Sequence, residues 1–174
     1  MAGPTSVAVP QVADVVRVRG AEEMSAAVLE HATGADVVVM AAAVADYAPV
    51  VRADQKVAKR EGDITLVLKR TPDILKMLGQ QRAASGGSTV LVGFAAETDN
   101  VLDRAAEKLR AKQVDLIVAN DVSRSDAGFD VDTNEVTLVG EHGTEAIPLQ
   151  SKARVASLIL DRIEQLLTAR SVGR

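Results

Sequence analysis

Residues 36–45, DVVVMAAAVA, constrain the fold more than any other stretch of this chain. The triple valine has no polar residue on either side of the pleat. A strand with one wet face alternates apolar and polar residues. One this uniformly apolar must be covered on both faces, as a central strand of a parallel sheet is. The run then passes into small side chains and ends on Asp46 and Tyr47.

The rest of the chain supplies partners for such a strand. Short strands are expected at residues 15–18, 64–68, 89–94 and 115–119, and helical periodicity at 22–31, 98–112 and 151–169. Gly34 stops the first helix. Thr71-Pro72-Asp73 opens another, with Thr71 as a fair cap and Pro72 suited to a first helical position. Residues 135–139 and 145–149 flank the Glu141-His142-Gly143 turn and read as a hairpin. Residues 46–63 break the pattern with Pro49, Gly62 and four basic side chains, and form a long excursion of the kind that is usually functional. With 174 residues and 47% hydrophobic content, the alternation describes one α/β domain with a sizeable core.

Composition removes several chemistries. There is no cysteine, so a thiol nucleophile, a thiolate metal site and disulfides are excluded. Two histidines, His31 and His142, argue against a zinc enzyme or a histidine-driven hydrolase. A net charge of −4 disfavours a general grip on nucleic acid. No apolar run reaches the length of a membrane span, and a cytoplasmic location is expected. Neither G-x-x-x-x-G-K-[ST] nor G-x-G-x-x-G occurs, which disfavours a P-loop NTPase and an ordinary dinucleotide enzyme.

Ligands of open parallel sheets bind at the carboxyl ends of strands, and three such ends here stand out. At residues 41–47, AAAVADY, small side chains leave the backbone accessible, or simply pack tightly; Asp46 suits a ribose hydroxyl, or caps a turn. At residues 92–98, VGFAAET, Gly93 permits close approach, Phe94 offers a ring to a base or to the core, and Thr98 suits a helix cap. Lys108 and Lys112 lie four apart on one helix face, a spacing that fits a polyanion but is equally that of a solvated face. The Asp103–Glu107 and Arg104–Lys108 pairs are like-charged, so helix support does not explain the charge on Lys108. Lysines with no evident acid–base pair suit activation of a carboxylate by nucleotidyl transfer, which needs positioning and charge neutralisation more than proton shuttling.

Taken in order, AAAVADYAP (41–49), KVAK (56–59), TPDIL (71–75), GFAAET (93–98), KLRAKQVDLIVAND (108–121) and FDVDTNEV (129–136) resemble the phosphopantothenate–cysteine ligase family of coenzyme A biosynthesis. The resemblance implies a Rossmann-like open, mostly parallel sheet with helices on both faces, a protruding flap and a C-terminal hairpin. It implies CTP-dependent joining of 4′-phosphopantothenate to cysteine through an acyl-cytidylate, with Mg2+ assisting the triphosphate. Met40, Ala41, Ala42 and Asp46 would then border the nucleotide, Thr71, Pro72, Asp73 and Ile74 a contacting loop, and Phe94 the base. Lys108 and Lys112 would meet the triphosphate, and Lys56, in the flap, would be the catalytic lysine. A homodimer through the flap is expected.

The sequence departs from the family pattern in three ways. Thr71 stands where Asn is usual, and Ala58 where the flap often has another lysine, which leaves the division of labour between Lys56 and Lys59 open. The family's N-terminal first strand, its Gly-rich turn and an N-x-S-S-G motif have no counterpart here. The expectation is therefore an N-terminally truncated ligase domain from a bifunctional protein whose upstream decarboxylase domain carries FMN. The alternative is a CTP-binding module that lacks part of its active site.

Overall fold

Strands form where the chain is most apolar. In the computed structural model, which describes residues 1–5, 7–8, 14–51, 55, 61–97, 99–121 and 131–172, β1 (Val37–Met40), β4 (Val90–Glu97) and β5 (Leu116–Asp121) lie parallel. β6 (Thr133–Gly140) and β7 (Gly143–Ser151) add to β5 as the expected hairpin, both pairings antiparallel. The sheet order is β1-β4-β5-β6-β7. A separate two-stranded ladder joins β2 (Tyr47–Pro49) to β3 (Leu68–Arg70), with Tyr47 opposite Arg70.

Among the described residues four helices cover the sheet: α1 (Ala21–Ala32), α2 (Ile74–Ser85), α3 (Val101–Lys112) and α4 (Lys152–Val172). The two-residue period of the strands sorts the core into two layers. Leu91, Ala95, Ile117 and Ala119 pack with Met24, Val28, Leu75, Leu78, Ala105 and Leu109 of α1, α2 and α3. Val90, Val92, Leu116 and Val118 point the other way, onto Val155, Ile159 and Ile163 of α4. Each fully buried Leu or Ile here contributes about 2 kcal/mol relative to exposure. The α/β sheet with helices on both faces is therefore present. No helix among the described residues is long and apolar enough to cross a membrane.

Several boundaries differ from expectation for local reasons. Residues 15–18 make no strand, only a parallel bridge between Ala2 and Arg17. The strand expected at 64–68 pairs only at its far end, in β3. The α2 helix begins after Asp73, not Thr71, because the Asp73 carboxylate accepts the Lys76 N–H at 3.1 Å. The α3 helix starts at Val101 behind Asn100, whose backbone is left-handed; Thr98 lies outside the described residues. Packing calls for a glycine at Gly93, since a Cβ there would stand 2.3 Å from Leu75 Cδ2.

One carboxylate fastens the amino ends of the central strands. Asp115 accepts hydrogen bonds from Arg82 of α2 and Arg170 of α4, and from the Leu91 N–H at 2.7 Å. It ties β4 to helices on opposite faces, with both arginines also donating to the Thr89 carbonyl. Breaking such a shielded cluster leaves unpaired charge. Asp115→Ala is expected to cost about 3 kcal/mol in urea unfolding; a loss under half of that would show the cluster to be peripheral. A second constraint is steric: a Cβ at Gly79 would stand 1.9 Å from the Lys112 carbonyl oxygen where α2 meets α3. Gly79→Ala is expected to cost about 2 kcal/mol, lowering Tm by roughly 4–8 °C. An unchanged melting curve would contradict this close crossing.

Candidate nucleotide-binding cleft

A cleft of about 490 Å³ opens at the carboxyl ends of β1 and β4, where ligands of parallel sheets bind. Its floor is formed by Met40, Ala42, Ala43 and Val44, the continuation of β1. After Met40 the chain has no bulky side chain to place over its own backbone until Val44. Phe94, next to buried Val92 and Gly93 on β4, is 39% exposed and borders the cleft, so it is not consumed by the core.

The opposite wall is the 70–75 segment. Thr71 secures this wall: its hydroxyl donates to the Ala45 carbonyl at 2.5 Å and its N–H to the Asp46 carbonyl at 3.0 Å. Thr71 thus stitches two cleft segments together rather than capping a helix. Pro72, Asp73, Ile74 and Leu75 continue the wall into α2. Among the described residues Asp46 and Asp73 are the carboxylates that border the cavity.

α3 brings the cations. Its buried stripe contains Ala105 and Leu109, which leaves Lys108 and Lys112 on the neighbouring face, turned toward the cleft. Lys112 Nζ lies 3.0 Å from Asp73 Oδ1. Lys108 Nζ lies 2.5 Å from Oε1 of Glu97, the last residue of β4, whose other oxygen receives Arg104 Nη1 at 3.2 Å. The like-charged Arg104–Lys108 pair is therefore bridged by a carboxylate from the sheet. Burial pushes the Glu97 carboxyl upward, but the hydrogen bonds and charges of Lys108 and then Arg104 outweigh this and hold it below the usual glutamate range.

Of the residues singled out in the sequence, Met40, Ala42, Asp46, Thr71, Pro72, Asp73, Ile74, Phe94, Lys108 and Lys112 all border this one cavity. Ala41 does not; it faces a groove between β1 and α1 with Met24, Val28 and His31. Lys56 and Lys59 lie outside the described residues. Ala95, which follows Phe94 on β4, is buried among core residues of the α1–α3 layer. Tyr47 and Arg70 were not anticipated. They stand opposite each other on β2 and β3, the guanidinium carbon 6.0 Å from the ring centre, and both line the cleft. The missed signal was pairing of the two ends of the excursion. Glu97 was missed as well, because a polar residue after an apolar strand looks like an ordinary exit.

Over residues 1–167 the chain matches the DNA/pantothenate metabolism flavoprotein C-terminal domain family. It is 44% identical over 168 residues to the coenzyme A biosynthesis bifunctional protein CoaBC of Bacillus subtilis (strain 168), covering 95% of this chain and 40% of that protein. Identity is 37% over 169 residues to the protein of the same name from Vibrio vulnificus (strain YJ016), covering 96% and 41%. The chain thus spans about two-fifths of the length of these curated relatives. Its fold is similar to a crystal structure of the C-terminal domain of CoaBC, with TM-score 0.75 and 38% identity over 96% of this chain and 72% of that one. The chain belongs to the DNA/pantothenate metabolism flavoprotein C-terminal domain family.

Proposed function

We propose that this chain is a ligase domain that uses CTP to join 4′-phosphopantothenate to cysteine in coenzyme A biosynthesis. The observation that carries the reading is a single cleft combining an aromatic face, Phe94, an accessible small-residue backbone at Ala42–Ala43, and two lysines one helical turn apart. The base would lie against Phe94 and be read by main chain. Asp46 would take ribose hydroxyls, and Lys108 and Lys112 the triphosphate. The similarity to CoaBC proteins over nearly the whole chain supports the same reading.

The chemistry fits the groups at hand. An oxygen of the pantothenate carboxylate attacks the α-phosphorus of CTP, the α–β anhydride bond breaks, and pyrophosphate leaves. The cysteine amine then attacks the acyl carbon, the acyl–phosphate bond breaks, CMP departs, and the amine gives up a proton. Cations that neutralise developing phosphate charge, with close positioning of the reactants, supply most of what these steps need. Mg2+ typically binds through one or two carboxylates together with substrate phosphates. Asp46 and Asp73 suit that manner of binding, and no cluster of three or more metal-ligating side chains occurs among the described residues. In this reading FMN belongs to the part of the CoaBC relatives beyond the region matched here.

The β2–β3 arm is the proposed contact to a second copy. It exposes Val50, Val51, Ile64, Leu66, Val67 and Leu68, all more than half accessible. Two three-residue strands with this much bare apolar surface are marginal unless covered.

Calorimetry with CTP, ATP and UTP, followed by assay of CMP and pyrophosphate release with 4′-phosphopantothenate and cysteine, tests the proposal. CTP is expected to bind most tightly and to be consumed. Failure of every nucleotide to bind would refute the site. CTP binding without product release would mark the chain as a nucleotide-binding module only. Lys56→Gln is expected to leave CTP affinity within about threefold while abolishing turnover, as for a residue acting mainly in the transition state. Undiminished turnover would remove Lys56 from the chemistry.

A further inference from the structure

The two cleft lysines are held in different ways. The carboxylate facing Lys112, Asp73, has a 44% exposed side chain, and the Oδ1 that meets Lys112 also accepts the Lys76 N–H. An arriving anion can take Lys112 while Asp73 keeps its role as helix cap. The carboxylate facing Lys108 offers no such exchange. Glu97 has a side chain only 8% exposed and stands at the end of β4, a strand flanked on both sides by β1 and β5. It is gripped from two sides, Arg104 on one oxygen and Lys108 on the other.

We propose that Glu97 is a positioning residue for the cleft: it fixes the Lys108 ammonium from the rigid end of β4, so that α3 presents one preset cation beside the exchangeable Lys112. This rests on the reading of the cleft as a nucleoside triphosphate site. A lysine side chain has four rotatable bonds and a strongly hydrated head, so without an anchor it samples many orientations. A buried anchor on a β-strand removes that freedom before the ligand arrives, and its cost is borne in folding rather than in binding. Arg104 keeps the anchor from cancelling the charge. One carboxylate shared between two cations leaves the group net positive, which a polyanion requires. Arg104 itself is 55% exposed and does not border the cleft, so it stabilises Glu97 without occupying the site.

The test uses Glu97→Gln, Arg104→Gln, Lys108→Gln and the Glu97→Gln/Lys108→Gln double variant of the whole chain, with two readouts. The first is the rate of amine labelling at each lysine without nucleotide, followed by mass spectrometry. Lys108 is expected to label more slowly than exposed Lys76 in the parent chain, to approach the Lys76 rate in Glu97→Gln, and to stay slow in Arg104→Gln. The second is CTP affinity by calorimetry. Glu97→Gln is expected to weaken binding about tenfold, the loss that follows from one charge-assisted hydrogen bond. Arg104→Gln should change it less than about twofold, and the double variant should bind no more weakly than Lys108→Gln alone, because Glu97 acts through Lys108. A merely structural Glu97 would instead give equal losses in Glu97→Gln and Arg104→Gln and additive losses in the double variant; either pattern overturns the proposal. If Glu97→Gln does not fold, Glu97→Asp keeps the charge one methylene further back and should likewise release Lys108 to labelling; continued protection there would overturn it. A parent chain that binds no nucleotide, yet whose Lys108 is freed by Glu97→Gln, refutes the nucleotide reading and supports the positioning role.

Discussion

The clamp at Asp115 is the interaction on which the layout depends. Helices on opposite faces of a sheet have no direct contact, so something at a strand end must tie them. Arg82 from α2 and Arg170 from α4 converge on this carboxylate just before β5 begins. Because the tie is made at the amino ends of the strands, the carboxyl ends need no cross-bracing. They can carry small residues, a half-exposed phenylalanine and an open cleft. Stability and ligand access are thereby assigned to opposite edges of the same sheet.

The same device recurs at the other edge with a different result. Glu97 also holds two cations from a helix, but there one of them, Lys108, opens onto the cleft. Asp115 is surrounded by groups fully engaged with protein, including carbonyls at Ser88, Thr89 and Gln113. Two carboxylates that each hold two cations thus do different work, and the difference lies in whether their cations have a free side.

The sequence made the central layers legible because burial on both faces leaves an unmistakable run of apolar residues. Val37–Met40, the 89–94 segment, the 115–119 segment and the hairpin were all anticipated within a few residues. Of the β2–β3 ladder only one side was anticipated, as the strand at 64–68 whose far end pairs in β3; its partner Tyr47–Pro49 was not, because three residues ending in proline are too few to show a period. Asp46 and Phe94 stood out from their positions at strand ends and Lys108 and Lys112 from their helical spacing, whereas Met40 and the 71–74 segment came from the family resemblance. The counter-ions of the lysines could not be paired with them in advance: Glu97 and Asp73 lie 11 and 39 residues from the lysines they meet, and only the fold brings them together. The Lys108–Lys112 spacing is plain in the string, whereas the unequal anchoring of the two arises only from the fold.

Tyr47 and Arg70 face each other across the exposed ladder and also form part of the cleft wall. One cross-strand pair is therefore common to the apolar surface and the ligand cavity. Whatever covers that surface and whatever fills that cavity act on the same two side chains, and thermodynamic linkage makes any effect mutual: each changes the other's affinity by the same factor. Under the proposed reading, in which a second copy covers the arm and a nucleotide fills the cleft, association and occupancy would report on one another through this pair.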